Sequence, residues 1–97
     1  EGYEVVHWEN GEQIEDIVNR LNSERPDLVL LDVNLRYLNG FDILHELRAN
    51  PALADVQVLM ASGMDMTYKS QREGANGFIL KPFMPDELVE KIKQLIG

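Results

Sequence analysis

Short apolar runs alternate with helix-periodic segments along the chain, and this alternation constrains the fold more than any other feature. The runs are rich in β-branched and aromatic residues and predict strands at residues 3–8, 28–32, 56–62 and 74–81. Between them, apolar residues recur with helical spacing, which predicts helices at residues 12–22 and 41–50, within 66–73, and at 85–96. Strands that alternate with helices on short connections predict an α/β fold, in which a mostly parallel sheet carries helices on both faces.

The size and composition of the chain further restrict the class of protein to which it can belong. A chain of 97 residues is predicted to form one domain, residues 1–97, around a single modest core. The net charge of −8 argues against direct binding of nucleic acid through a basic face. No apolar run is long enough to span a membrane, and a chain without cysteine has no disulfide framework. We therefore expect a cytoplasmic protein without a membrane contact.

Three of the predicted strands end on side chains that can take part in chemistry. Asp32 follows four consecutive apolar residues, Ser62 ends the third strand and Lys81 ends the fourth. Because ligands of such sheets bind beyond the carboxyl ends of the strands, these side chains are expected in one crevice. There the carboxylate can attack phosphorus, the ammonium can offset charge on phosphoryl oxygens and the hydroxyl can donate a hydrogen bond. Each residue alone is usually a turn, cap or solvated edge residue, so only the joint placement favours a phosphoryl site.

Three segments resemble a known family. The stretches PDLVLLDVNLRYLNGFDIL, VLMASGMD and GANGFILKPF are similar to response-regulator receiver domains of two-component signalling, and the match runs from about residue 2 to residue 96. The resemblance implies the receiver fold, a flavodoxin-like, doubly wound parallel sheet. It also implies that Asp32 is the phosphoacceptor for a histidine kinase or phosphotransfer protein. Ser62 is then the switch hydroxyl, and Lys81 is the lysine that pairs with the phosphoryl group.

Further residues match the family by the same comparison. Phe78 is implied to be the aromatic switch residue, which moves inward on phosphorylation. The implied cofactor is Mg²⁺, held by the Asp32 carboxylate and by the backbone carbonyl of Asn34. Gly40 is implied to close the loop after the acceptor, and the peptide bond before Pro82 is implied to be cis.

The implied activity is that of a signalling switch, not of an enzyme that acts on a separate substrate. The domain would catalyse only its own phosphotransfer and dephosphorylation, and its changed surface would regulate an output domain or effector protein. A homodimer through the face that the family builds from its fourth helix, fifth strand and fifth helix is a further expectation. Two other classes stay open. One is a pseudo-receiver that acts as a protein-interaction module without phosphorylation. The other is a flavodoxin-like cofactor-binding protein, which the lack of a glycine-rich phosphate loop disfavours.

The start of the chain departs from the family. The opening EGYEVV matches the end of the family's first helix and its second strand, so one βα unit, the first strand and first helix, is missing. Because the family's strand order is 2-1-3-4-5, this loss is expected to leave an open groove between the first two strands of this chain. The acidic pair that usually binds Mg²⁺ belongs to the missing strand. Three explanations stay open: truncation or disorder, a strand supplied by another chain, and a degenerate receiver.

Two local departures also bear on the surface. Ser62 and Lys81 are 19 positions apart (81 minus 62), which is fewer than is common in the family, and the third helix is therefore expected to be short or irregular. Arg36 stands where the family often has proline, so Arg36 and Tyr37 are expected to be available for contact with a partner. The two histidines share no metal-ligand spacing and are expected to be surface residues.

Overall fold

A computed structural model describes the backbone of residues 3–6 and both backbone and side chains of residues 13–34 and 39–96. The predicted alternation of strands and helices is confirmed, with boundaries that shift by a few residues. The elements are β1 (Tyr3–Val6), α1 (Ile14–Glu24), β2 (Leu28–Asp32), α2 (Gly40–Ala49), β3 (Gln57–Ser62), α3 (Thr67–Glu73), β4 (Gly77–Leu80) and α4 (Pro85–Ile96). The predicted last residues of the first strand, 7 and 8, lie outside the described residues.

The largest boundary shift is at the start of β4, which was predicted three residues earlier. Gly74 has a φ of 109° and caps the end of α3, so the chain turns there before it becomes extended. A left-handed residue at the end of a helix is most often glycine, since a side chain at that φ is strained. The short α3 agrees with the prediction from the spacing of Ser62 and Lys81.

In the described part of the chain, the strands form one parallel sheet in the order β1-β2-β3-β4. The predicted groove between the first two strands is wrong, because β1 pairs directly with β2. The register places Tyr3 beside Leu28 and Val6 beside Leu31. Backbone donors and acceptors at an unpaired inner edge would lose hydrogen bonds, and direct pairing of the two strands satisfies them.

Both faces of the sheet are covered, which explains the continuous apolar run in β2. Val29 and Leu31 point into a cluster with residues of α1 and α2, whereas Leu28 and Leu30 point into a cluster with α4. Successive side chains of a strand alternate between faces, so a strand buried on both sides needs apolar residues at every position. Asp32 is the first residue of this run that is not fully buried, because there the strand reaches the rim of the sheet.

The helices follow the apolar stripes of the sequence with one exception. The stripe of α1 packs Ile17 and Leu21 into the core. In α4, Ile92 is buried, while Ile96 at the helix end is exposed. None of the described helices combines the length and the apolar character that a membrane span requires. The fold therefore places the carboxyl ends of β2, β3 and β4 together at one rim.

Candidate functional site

The carboxyl ends of three neighbouring strands bring the predicted site residues together. Asp32 is the last residue of β2, Ser62 is the last residue of β3, and Lys81 directly follows β4. Lys81 Nζ lies 2.5 Å from Asp32 Oδ1, so the ammonium group reaches across β3 to form an ion pair with the carboxylate. This contact supplies the compensating charge that a carboxylate at the end of an apolar strand needs.

The register of the sheet explains why these residues meet. Asp32 pairs with Ala61, and Ser62 pairs with Leu80, so the three strands end within about one residue of each other. The Lys81 backbone N–H donates to the Ser62 carbonyl oxygen at 2.8 Å and holds the end of β4 against β3. Both partners of the ion pair keep access to solvent, with side chains 29% exposed for Asp32 and 43% for Lys81. The site is therefore an open rim that another molecule can reach.

The backbone that follows Asp32 is held by the start of α2. The Gly40 N–H donates to the Val33 carbonyl oxygen at 2.6 Å, and Asn34 and Asn39 form an isolated antiparallel bridge. A Cβ atom on Gly40 would lie 2.0 Å from the Asp32 carbonyl oxygen, which is closer than any side chain can approach without a clash. The loop-closing glycine implied by the resemblance therefore has a physical cause, the close approach of two backbone segments.

Asn39 has a part in this loop that the sequence reasoning missed. Its side-chain Oδ1 accepts a hydrogen bond from the Phe41 N–H at 2.8 Å and caps the first turn of α2. The sequence signal was present, because asparagine directly before a helix is a strong N-cap. Arg36 and Tyr37, which were expected to be available for partner contact, lie outside the described residues.

Ser62 lies between the other two residues, with its hydroxyl turned toward its own loop. The side chain is buried, and its Oγ accepts a hydrogen bond from the Met64 N–H at 3.2 Å. A hydroxyl that accepts one hydrogen bond still carries its own proton to donate. The structure therefore brings Asp32 and Lys81 into direct contact and places Ser62 beside them at the end of the middle strand.

The loop after Ser62 is tied to α3 through Asp65. Its Oδ1 accepts hydrogen bonds from the Thr67 backbone N–H at 3.0 Å and from the Thr67 hydroxyl at 2.6 Å. The bond from the Thr67 hydroxyl, and then the bond from its backbone, lower the pKa of Asp65 below the ordinary value of an aspartate. Asp65 therefore fixes the first turn of α3 close to Ser62.

Phe78 and Pro82 complete the predicted set. The Lys81–Pro82 peptide bond is cis, as the resemblance implied. Phe78 is only 7% exposed and belongs to the same core cluster as its strand neighbour Met60. The ring lies inside the core because β4 turns it toward the face that α2 covers, and its implied role as a switch residue stays a prediction.

The described residues do not by themselves fit a Mg²⁺ site. Among residues 13–34 and 39–96, no group of three histidine, aspartate or glutamate side chains lies close enough to hold a metal ion. What they offer is the Asp32 carboxylate and the Asn34 backbone carbonyl. Mg²⁺ demands near-octahedral oxygen coordination, and one carboxylate that is already paired with Lys81, together with one carbonyl, leaves most of that shell without protein ligands.

The comparisons with known proteins decide the family. The family model for the response regulator receiver domain matches residues 1–93. The chain belongs to this family. Sporulation initiation phosphotransferase F of Bacillus subtilis is 36% identical to this receiver domain over 97 residues, which are 99% of this chain and 76% of that protein.

A further relative is a longer protein, and a solved structure shares the fold of this receiver domain. DNA-binding response regulator MtrA of Mycobacterium tuberculosis is 34% identical over 93 residues, which are 96% of this chain and 40% of that protein. The signal receiver domain of a DNA-binding response regulator from Colwellia psychrerythraea has a solved structure with 30% identity and a TM-score of 0.72. The alignment covers 84% of this chain and 69% of that one. The chain is thus a receiver domain of two-component signalling with the flavodoxin-like fold.

Proposed function

We propose that Asp32 accepts a phosphoryl group from a phosphohistidine on a histidine kinase or phosphotransfer protein. A carboxylate oxygen of Asp32 forms the new P–O bond while the P–N bond of the donor breaks, and the donor imidazole keeps the electron pair and takes up a proton. The product is an acyl phosphate on Asp32. The domain acts on no other substrate, so its catalysis is limited to its own phosphotransfer and dephosphorylation.

The ion pair of Asp32 and Lys81 is the observation that carries this proposal. A contact of 2.5 Å places the ammonium group where it can offset the charge of phosphoryl oxygens on the same carboxylate. The Ser62 hydroxyl at the neighbouring strand end can donate its proton to one of those oxygens. The open rim leaves space for the donor histidine to approach Asp32.

The Mg²⁺ that the resemblance implies needs more ligands than the described residues supply. We infer that tight Mg²⁺ binding requires carboxylates from outside residues 13–34 and 39–96. If such carboxylates are present, Asp32 and the Asn34 carbonyl are the residues of this part that would join them.

The surface formed by α3, β4 and α4 is the proposed contact for the output. In this chain it corresponds to the family's fourth helix, fifth strand and fifth helix. It carries large apolar side chains that are exposed: Tyr68, Leu80, Met84 and Val89. Large apolar side chains left exposed to solvent are candidates for contacts with other proteins. The proposed partner is an output domain or effector protein, or a second copy of the chain, in the cytoplasm.

Intact-mass analysis after incubation with acetyl phosphate and Mg²⁺ tests the acceptor. We expect the gain of one phosphoryl group, lost in the variant Asp32→Asn and kept in Asp42→Asn, which changes an exposed aspartate on α2. Because the metal ligands are incomplete in the described part, the protein tested should be the full natural chain. Absence of any mass gain there would favour the pseudo-receiver, a protein-interaction module without phosphorylation.

A further inference from the structure

The four methionines of the chain differ in their access to solvent. Met60 is fully buried in β3, and Met66 is partly buried against the core. Met64 and Met84 are 70% and 65% exposed. Oxidation of a sulfur-containing side chain depends on its access to the oxidant, and the 97 residues contain no cysteine thiol that would react first. Met64 and Met84 are therefore the thioethers that a peroxide can reach.

Both exposed methionines lie in loops that leave the rim of the site, but their backbones are tied to different elements. Met64 follows Ser62, the last residue of β3, and its N–H donates to Ser62 Oγ at 3.2 Å. Met84 belongs to the cap of α4, because its N–H donates to Glu87 Oε1 at 3.0 Å and its carbonyl oxygen accepts from the Glu87 and Leu88 N–H groups. Met64 is therefore coupled to the Ser62 hydroxyl group, and Met84 is coupled to α4.

Oxidation would convert the apolar Met64 side chain into a polar one that accepts hydrogen bonds. A sulfur lone pair forms the new S–O bond while the O–O bond of hydrogen peroxide breaks. The departing oxygen takes up the proton of the transferred oxygen and leaves as water. Ser62 Oγ accepts from the Met64 N–H and still carries its own proton to donate. The unbranched side chain of Met64 has the flexibility to bring a sulfoxide oxygen to this hydroxyl.

We propose that Met64 is a reversible oxidation site, and that its sulfoxide slows phosphoryl transfer to Asp32 by accepting the hydrogen bond of the Ser62 hydroxyl. The phosphoryl group then competes with the sulfoxide for this donor. Because enzymes reduce methionine sulfoxide, the effect can be reversed. The oxidation site follows from exposure, whereas the effect on Asp32 rests on the proposed function.

Peptide mass mapping after brief treatment of the full natural chain with hydrogen peroxide tests the oxidation site. We expect Met64 and Met84 to gain one oxygen about tenfold faster than Met60, or more. The two methionine sulfoxide reductases, one for each epimer, should remove it. Equal rates at Met64 and Met60, or a Met64 sulfoxide that resists both reductases, would overturn the assignment. This measurement does not use phosphorylation.

Labelling of Asp32 by acetyl phosphate and Mg²⁺, before peroxide treatment and after the peroxide is removed, tests the effect. Oxidation should slow labelling about threefold to tenfold, as expected for one hydrogen bond, in the natural chain and in the matched control Met84→Leu. Met64→Leu has a similar volume and keeps the backbone N–H, so peroxide should leave its rate unchanged. An unchanged rate in the oxidised natural chain, or an equal loss in Met64→Leu, would refute the effect.

Ser62→Ala distinguishes this mechanism from a steric one. Without the hydroxyl, labelling should be slower from the start, and peroxide should have no further effect. A further loss equal to that of the natural chain would show that the sulfoxide does not act through Ser62. If the untreated natural chain is not labelled at all, the proposed function fails together with the slowing, and the mass mapping alone decides the assignment of Met64.

Discussion

Replacing Gly40 by alanine tests whether the start of α2 positions Asp32. The added Cβ would lie 2.0 Å from the Asp32 carbonyl oxygen and 3.0 Å from the Val33 Cα, so backbone must move by about an ångström to reach an ordinary contact. Overpacking of this kind costs about 1–3 kcal/mol. Misalignment of the 2.6 Å bond from the Gly40 N–H to the Val33 carbonyl adds about 1 kcal/mol.

The loss is partly offset in the unfolded state. Gly→Ala reduces the conformational freedom of the unfolded chain, which stabilises the protein by about 0.4–1 kcal/mol. The free energy of unfolding should therefore fall by about 1–3.6 kcal/mol in Gly40→Ala. For a domain of this size, each kcal/mol lowers the midpoint of thermal unfolding by about 4–8 °C.

Gly63→Ala is the matched control for this measurement. A Cβ on Gly63 would meet no atom within 4 Å, and its φ lies outside the left-handed region. Its free energy of unfolding should stay within about 0.5 kcal/mol of that of the natural chain, or rise slightly. Urea unfolding followed by circular dichroism measures both variants. If Gly40→Ala were as stable as Gly63→Ala, the close approach of α2 to Asp32 would not constrain the site.

Three further predictions concern the charges of the site and of α3. Lys81→Met should slow labelling of Asp32 by acetyl phosphate about 100-fold, because a group that stabilises the transition state is removed. The control Lys93→Met should not slow it. Equal labelling rates of the two variants in intact-mass time courses would contradict the role of the ion pair. Because the pKa of Asp65 is lowered, the stabilisation it gives to the first turn of α3 is complete above about pH 4 and is lost as the pH falls through the lowered pKa. In an NMR acid titration Thr67→Val should move the Asp65 midpoint upward, and an unmoved midpoint would refute the assigned cause. Calorimetric titration with Mg²⁺ should show no saturable heat unless outside carboxylates contribute; saturable heat that survives Asp32→Asn would place the metal elsewhere.

Much of the site could be predicted from the sequence, because local sequence patterns determine where the strands end. A continuous apolar run fixes β2 as a strand buried on both faces, and its end fixes where Asp32 emerges. Parallel strands with short connections then bring the ends of the neighbouring strands to the same rim, which is why Lys81 was expected near Asp32. These inferences need only the period of a strand and the direction of the chain.

The features that were not predicted depend on contacts between distant residues. The direct pairing of β1 with β2 is determined by hydrogen bonds between two strand edges. No local sequence pattern indicates which strand edges will pair. His45 and Glu73 are 28 positions apart, and nothing in either segment marks them as partners. The burial of Phe78 depends on the side chains that surround β4 in the folded protein, chiefly the cluster on the face that α2 covers.

Two connections lead from the rim of the sheet to α3, and they differ in their physical nature. One runs along the chain from Ser62 to Asp65, whose side chain caps α3 at Thr67. The other starts at Gly40, which packs against the Asp32 carbonyl, and continues along α2 to His45 and Arg48, which contact Glu73 and Gly74. A change in the position of the Asp32 backbone must move Gly40, because the two segments are in contact with no space between them. We predict that such a shift would be carried along α2, because backbone hydrogen bonds hold the turns of a helix together. The side chains of α2 that contact α3 and its following turn are therefore carried by the same element that packs against Asp32.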